Sequence, residues 1–235
     1  MCECGLTRRG VLTGLAAGSV VAALPVLAGA RDPGHVPPVS AVTAEQALQR
    51  LKEGNARFVS GKSMHPNTSL ARLQETVKDG QHPFVSVLSC ADSRVPVELI
   101  FDQGVGDLFV IRVAGNVSDI DEIGTIEYGT GHLGTPLVLV LGHTKCGAVT
   151  AVVKGDKVGG QIPLLVDNIV PAANRIKSKG LAGEALIADA IKENVRQSMS
   201  DLVRRSTEVE HLIQAGRLRV VGAVYNLETG TVEWL

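Results

Sequence analysis

The chain has 235 residues, which is enough for one sizeable α/β domain after a leader has been removed. Lys and Arg total 23 against 24 Asp and Glu, a net charge of −1, so nothing suggests the basic surface of a nucleic-acid-binding protein. Aromatic residues make up only 3% of the chain, which also argues against a protein that stacks on bases.

The first thirty residues are typical of an export signal. Arg8 and Arg9 form a twin-arginine pattern, an apolar stretch over 11–27 follows, and Ala-Gly-Ala at 28–30 fits a cleavage site. A membrane anchor is the alternative, but the apolar stretch is short and rich in Ala and Gly. We therefore expect twin-arginine export to the periplasm or the extracellular space, contact with the membrane only during export, and a mature chain that begins at Arg31.

The rest of the chain predicts one α/β domain over residues 43–235, after a Pro-containing linker over residues 31–42. Helical patterns cover 43–58, with Thr43 and Gln46 placed for a capping box, and then 70–78, 123–132, a segment from about 146, 163–178 and 184–215, which is broken near Ser206. Strand patterns cover 84–88, 108–113 and 137–142, and a closing hairpin covers 219–225 and 231–235. This alternation indicates a mostly parallel central sheet flanked by helices.

The helical segment over 184–215 carries an apolar stripe with two possible uses. Its residues recur every three or four positions, as expected for one face of a helix. Core packing is the favoured interpretation and a subunit interface is the alternative. The stripe consists of Ile187, Ile191, Val195, Met199 and Leu202.

Three potential metal ligands follow two of the predicted strands. Cys90 comes after the run 84–88, and His143 and Cys146 come after the run 137–142. In an α/β sheet, sites form at the carboxyl ends of such strands. Two thiolates and one imidazole suit tetrahedral zinc and leave a fourth position open. We therefore expect one Zn²⁺ per chain; a closed structural zinc site and, in an exported protein, a disulfide between the two cysteines are the alternatives.

The sequence around these ligands resembles the β-class carbonic anhydrases, over roughly residues 43–235. The resemblance implies a zinc enzyme that interconverts CO₂ and bicarbonate as a homodimer or homotetramer, with an N-terminal helical arm packed on a partner subunit. Hydrolysis of CS₂ or COS on the same fold, or a non-catalytic zinc- or bicarbonate-binding scaffold, are the alternatives. The matching runs are Cys90-Ala91-Asp92-Ser93-Arg94-Val95, His143-x-x-Cys146-Gly147-Ala148, and residues 102–110, 112–116 and 126–128.

Asp92 and Arg94 are the expected catalytic pair beside the metal. A zinc with two thiolates acidifies water less than one with three histidines, so neighbouring groups should assist it. A carboxylate held by Arg94 can accept a hydrogen bond from the nucleophilic hydroxide and so orient its lone pair toward CO₂. If Asp92 ligates zinc instead, the site is closed and inactive. An ordinary salt bridge in a turn is the alternative for this pair.

The resemblance also implies three substrate-binding residues. Gln81 stands nine residues before Cys90 and would donate a hydrogen bond to an oxygen of CO₂ or bicarbonate. Phe109 and Tyr128 would supply apolar walls of the pocket, contributed across a dimer interface, and Ala114 would fill a small apolar position. Ordinary core packing is the alternative for Phe109 and Tyr128.

Overall fold

The structure is a computed structural model that describes residues 40–235. The predicted signal at 1–30 and most of the linker predicted at 31–42 lie outside the described residues. Within residues 40–235, no helix is both long enough and apolar enough to cross a bilayer.

Nine α-helices occur in the described part of the chain, and most begin and end within three residues of the predicted bounds. The segment predicted at 184–215 is broken at Ser206, as expected, because Ser206 caps the helix that follows. The helices are α1 (Ala44–Val59), α2 (Leu70–Asp79), α3 (Val97–Ile100), α4 (Ile120–Glu127), α5 (Gly147–Lys154), α6 (Ile162–Val166), α7 (Val170–Lys177), α8 (Gly183–Arg205) and α9 (Thr207–Gln214).

Short helical turns connect several of these elements. Single 3₁₀ turns lie at Ala114–Asn116 and Asp167–Ile169, and a π turn lies at Tyr128–His132. The helix predicted over 123–132 is therefore α4 followed by the π turn, and it starts three residues earlier because Asp119 and Glu122 form a capping box. The helix α3 has only four residues and was not predicted.

Five strands form one sheet in the order β2-β1-β3-β4-β5. The strands are β1 (Val85–Cys90), β2 (Leu108–Val113), β3 (Leu137–His143), β4 (Arg219–Tyr225) and β5 (Val232–Trp234). The first four strands of that order are parallel, and β5 runs antiparallel to β4. The prediction of a mostly parallel sheet is confirmed, and its central strands β1 and β3 are buried at every position.

Two apolar clusters cover the two faces of this sheet. On one face Leu88, Val138 and Val140 pack with residues of α8 and its neighbours, and on the other face Val87 and Leu139 pack with α1 and α3. The stripe on α8 belongs to the first cluster, where Ile191, Val195 and Leu202 are buried and Ile187 and Met199 pack against them. The core interpretation of the stripe is confirmed.

The N-terminal helices α1 and α2 use their apolar faces differently. The predicted capping box of α1 is present, and Ala47, Leu48 and Leu51 are buried against the sheet of the same chain. In contrast, α2 buries none of its residues and leaves Leu70, Leu73 and Val77 exposed. The helix α1, which corresponds to the predicted arm, thus buries one face on its own chain, and its packing on a partner subunit stays a prediction; α2 leaves its apolar face exposed.

Candidate active site

The three predicted metal ligands meet at the carboxyl edge of the sheet. Cys90 is the last residue of β1 and His143 is the last residue of β3, and these strands are parallel neighbours. Cys146 follows a tight turn and caps the amino end of α5. Lys145 adopts a left-handed φ of 57° within that turn. Because this turn reverses the chain directly after β3, it brings Cys146 back beside the two strand ends.

The ligand atoms form a compact, buried cluster. The two Sγ atoms and the ring nitrogen lie within 4.8 Å of one another, and all three residues are buried. Both cysteines are free thiols. Nδ1 of His143 lies 2.9 Å from the carbonyl of Thr144 and donates to it, which leaves Nε2 as an acceptor. No described protein atom hydrogen-bonds to Nε2. A buried imidazole lone pair beside two thiols fits the donor set of a zinc ion.

The local environment favours negative charge on one of the two sulfur atoms, that of Cys90. A hydrogen bond from the Cys146 thiol lowers the pKa of Cys90 to about 4, although burial opposes this, and His143 and the backbone N–H groups of Asp92 and Gly115 lower it further. The same hydrogen bond, together with burial, raises the pKa of Cys146. The opposite shifts of the two pKa values favour a thiolate at Cys90 and a thiol at Cys146, and a divalent cation would favour ionisation of both.

Asp92 and Arg94 stand together at the mouth of this cluster. The Asp92 carboxylate accepts from Arg94 Nε at 3.0 Å, from Nη2 at 2.8 Å and from the backbone N–H at 2.9 Å. These bonds from Arg94 hold the pKa of Asp92 well below its usual range. Asp92 Oδ2 lies 3.8 Å from His143 Nε2. An ionised acceptor thus sits next to the cluster with its orientation fixed by a guanidinium group.

The three expected substrate-binding residues do not join the cluster within one chain. Phe109 pairs with Ser86, four residues before Cys90, so it lies roughly 13 Å away along the strand at about 3.3 Å per residue. The rings of Phe109 and Tyr128 are 5.9 Å apart. Tyr128 and Gln81 line an open groove of about 600 Å³ along α2. These residues lie together, but toward the opposite end of the strands.

The comparisons with known proteins decide the family. The family model described as carbonic anhydrase matches residues 85–232, which is more than half of the chain. Carbonic anhydrase 2 of Mycobacterium tuberculosis is 38% identical over 188 residues, covering 78% of this chain and 89% of that protein. The chain belongs to the carbonic anhydrase family. The carbonic anhydrase of Mycolicibacterium smegmatis is 37% identical over 191 residues, covering 80% of this chain and 91% of that protein.

Solved structures place this carbonic anhydrase in the β class. The β-carbonic anhydrase CcaA has 32% identity and a TM-score of 0.64, covering 80% of this chain and 94% of that one. CafA of Aspergillus fumigatus has 28% identity and a TM-score of 0.65, covering 81% of this chain and 89% of that one. The enzyme therefore catalyses the reversible hydration of carbon dioxide to bicarbonate and a proton.

Two supporting residues of this carbonic anhydrase were missed by the sequence analysis. Arg112 donates to the carbonyl oxygens of Cys90 at 3.1 Å and Asp92 at 2.6 Å, so it fixes the loop that carries both. Gly115 donates its backbone N–H to Cys90 Sγ at 3.3 Å. Both residues lie in the run 112–116, and the resemblance of that run was the signal that could have pointed to them.

Proposed function

We propose that the enzyme works with one zinc ion per chain, held by Cys90, His143 and Cys146. The supporting observation is the buried His143 Nε2, which has no hydrogen-bond partner among residues 40–235, in a ring whose ligand nitrogen lies within 4.8 Å of both sulfur atoms. When bound there, zinc would supply Lewis acidity that makes a water nucleophilic near neutral pH.

Asp92 is proposed to be the residue that accepts a hydrogen bond from the O–H of the attacking oxygen. Its carboxylate is ionised, lies beside the ligand cluster and is held on both oxygens by Arg94. An acceptor fixed in this way removes rotational freedom from the nucleophile and directs a lone pair toward the substrate. Arg94 acts through Asp92 and is a positioning residue for it.

Asp92 also has a second proposed use, as a ligand that closes the site. Its Oδ2 atom is already 3.8 Å from His143 Nε2, so a small movement would bring it to a metal held there. That movement would break the hydrogen bonds to Arg94. The described conformation has the ion pair intact and corresponds to the open arrangement.

A second copy of the chain is proposed to complete each substrate pocket. Gln81, Phe109 and Tyr128 lie far from the ligand cluster of their own chain, and Tyr128 is 47% exposed. The neighbouring helix α2 exposes an apolar face that includes Leu73 and Val77. Burying this face against a second copy would exclude water from it and would allow the three residues to reach the partner's metal cluster. A dimer is then the smallest active unit, and a tetramer built from two such dimers is compatible with it.

Stopped-flow CO₂ hydration by the zinc-loaded enzyme tests the reaction, and assays with COS and CS₂ in parallel test the sulfur alternatives. The relatives of this chain are carbonic anhydrases, which favours CO₂. Leu73→Asp should convert the assembly to monomers and lower activity, because it places a charge on the open face of α2. Lys78→Gln on the same helix is the control and should leave the assembly unchanged. A fully active monomer at assay concentration, measured by light scattering, would contradict the shared pocket.

We also propose that the enzyme is exported by the twin-arginine route. Arg8 and Arg9, the apolar stretch and the small residues at 28–30 support this, and the route carries proteins that have already folded and taken up metal. Replacing both arginines with lysine should trap an uncleaved precursor in the cytoplasm. Unchanged export of the double-lysine form would rule out this route.

A further inference from the structure

The position of Gly115 relative to Cys90 depends on an unusual turn. Gly115 donates its N–H to Cys90 Sγ at 3.3 Å from the 3₁₀ turn that follows β2. Its φ is +74°, and the next residue, Asn116, also has a left-handed φ of 46°. A Cβ at position 115 would lie 2.7 Å from Ile169 Cδ1 and 3.3 Å from Ala148 Cβ. Glycine adopts this conformation without a steric penalty, but the left-handed Asn116 beside it is less favourable and persists only when surrounding contacts hold it.

The segments that carry the two cysteines differ in how they are held. Cys146 is the N-cap residue of α5, so a regular helix fixes its backbone, although its side chain makes no cap hydrogen bond. The Gly115 donor to Cys90 comes from an irregular turn, which has no such internal support. Something outside the turn must therefore fix its orientation.

Asn194 supplies a contact of this kind from the middle of α8. Its Nδ2 donates to the carbonyl oxygen of Gly115 at 2.7 Å, across 79 positions of sequence. The side chain is only 1% exposed and lies among apolar residues such as Ile191 and Val195. Its Oδ1 is buried and has no hydrogen-bond partner among the described protein atoms. Burying an amide with one unpaired polar atom costs free energy of folding. The hydrogen bond from Nδ2 to Gly115 therefore indicates that Asn194 does more than fill space in the core.

The adjacent residue of α8 fixes a second ligand-bearing segment. Val195 packs against Gly142, the residue before His143, so closely that a Cβ at position 142 would lie 2.6 Å from Val195 Cγ2. One turn of α8 thus contacts the backbone beside His143 through Val195 and the turn beside Cys90 through Asn194. The helix sets the relative placement of two of the three ligands.

We propose that Asn194 is a positioning residue for the metal thiolate of Cys90. It holds the Gly115 carbonyl, and thereby keeps the Gly115 N–H directed at Cys90 Sγ, where it disperses the charge of the metal-bound sulfur. Removing such a donor weakens metal binding and changes the electronic environment of the thiolate, whereas a merely structural role would change only stability. The proposal rests on the zinc site described under the proposed function.

The test compares metal binding by Asn194→Leu with that of the wild-type enzyme. Leu has the same number of side-chain heavy atoms, branched at the same carbon, and no donor, so zinc affinity, measured by competition with a chromophoric chelator, should fall about 10–100-fold. The thiolate-to-cobalt charge-transfer band of the cobalt-substituted protein should shift. Leu202→Ala on the same helix is the control: it should lower the unfolding temperature and leave zinc affinity and the cobalt band unchanged.

The outcomes separate this proposal from the zinc site itself. A wild-type enzyme that binds no zinc overturns the proposed function. A wild-type enzyme that binds zinc and a folded Asn194→Leu with affinity within threefold of it overturn only the role of Asn194. If Asn194→Leu does not fold, Asn194→Ser, whose hydroxyl is too short to reach Gly115, carries the same comparison. In the wild-type protein, rapid deuterium exchange of the Gly115 amide or of the Asn194 side-chain amide would also overturn the proposal.

Discussion

The replacement Asp102→Asn should destabilise the enzyme through a buried charge that lies away from the active site. Asp102 accepts from Arg57 Nε at 2.6 Å and from the backbone N–H groups of Met64 at 3.0 Å and His65 at 2.8 Å. Its side chain is fully buried. The carboxylate thus joins α1 to the loop that leads into α2. Asp102 has a left-handed φ of 48°, which Asn tolerates, so this variant changes the charge and leaves the backbone without added strain.

The expected decrease in the free energy of unfolding follows from the hydrogen bonds that the carboxylate makes. Bonds to a charged group contribute about 1.5–3 kcal/mol each, and Asn keeps one acceptor oxygen but turns an amide N–H₂ toward the remaining donors. We therefore expect the free energy of unfolding to fall by about 3 kcal/mol, at the low end of the range for breaking a fully buried pair because Arg57 is partly exposed. At about 2–4 °C per kcal/mol for a domain of this size, the apparent Tm should fall by roughly 6–12 °C.

The effect should depend on pH in a defined direction. Burial raises the pKa of Asp102, but the donors of Met64, Arg57 and His65 outweigh it, so the net pKa is lower than usual. A depressed pKa contributes stability above the unfolded value of about 3.9, and that contribution is lost as pH falls through the folded value. The difference in stability between wild type and Asp102→Asn should therefore be largest at pH 7 and should begin to shrink below about pH 4.

The assay is thermal unfolding at fixed protein and zinc concentrations, since both affect the apparent Tm. Glu75→Gln is the matched control, because Glu75 is 58% exposed in its ion pair with Arg72 and such pairs contribute about 0–1 kcal/mol. A fall of less than 2 °C for Asp102→Asn at pH 7 would refute the reasoning. So would a difference that stays undiminished at pH 3.5.

Two further predictions concern the metal site. Cys146→Ser should lose both zinc and activity, because only two free thiols lie in the described chain; metal analysis of the fresh wild-type enzyme that found a Cys90–Cys146 disulfide and no zinc would contradict this. Activity should rise toward about pH 8–9. Two thiolates neutralise the charge of the metal, so the pKa of zinc-bound water should lie between its value in a three-histidine site and its value for zinc in solution. The rise should be steeper than a single ionisation, since Asp92 competes for the metal at low pH; an Asp92→Asn variant with full activity and the wild-type profile would count against this gate.

The fold and the ligand cluster could be predicted from local sequence patterns. Buried parallel strands give continuous apolar runs, and β1 and β3 are recognisable for that reason. The ligands Cys90 and His143 stand at the ends of those runs, and neighbouring parallel strands bring their ends together. The four-residue helix α3 escaped prediction because it is too short to show a helical period, and the bounds of α4 depended on the capping box at Asp119.

The contacts that hold the ligands in place could not be predicted in the same way. Asn194 lies 79 positions from Gly115, and its place in α8 looks like one polar residue within an apolar stripe. Its role arises only when α8 packs on the sheet closely enough for Val195 to contact Gly142. A metal ligand is recognisable because its chemistry is unusual at its position, whereas a residue that orients a ligand uses an ordinary amide. Sequence patterns therefore identify which atoms would bind the metal, and the tertiary packing of one helix determines how firmly those atoms are held.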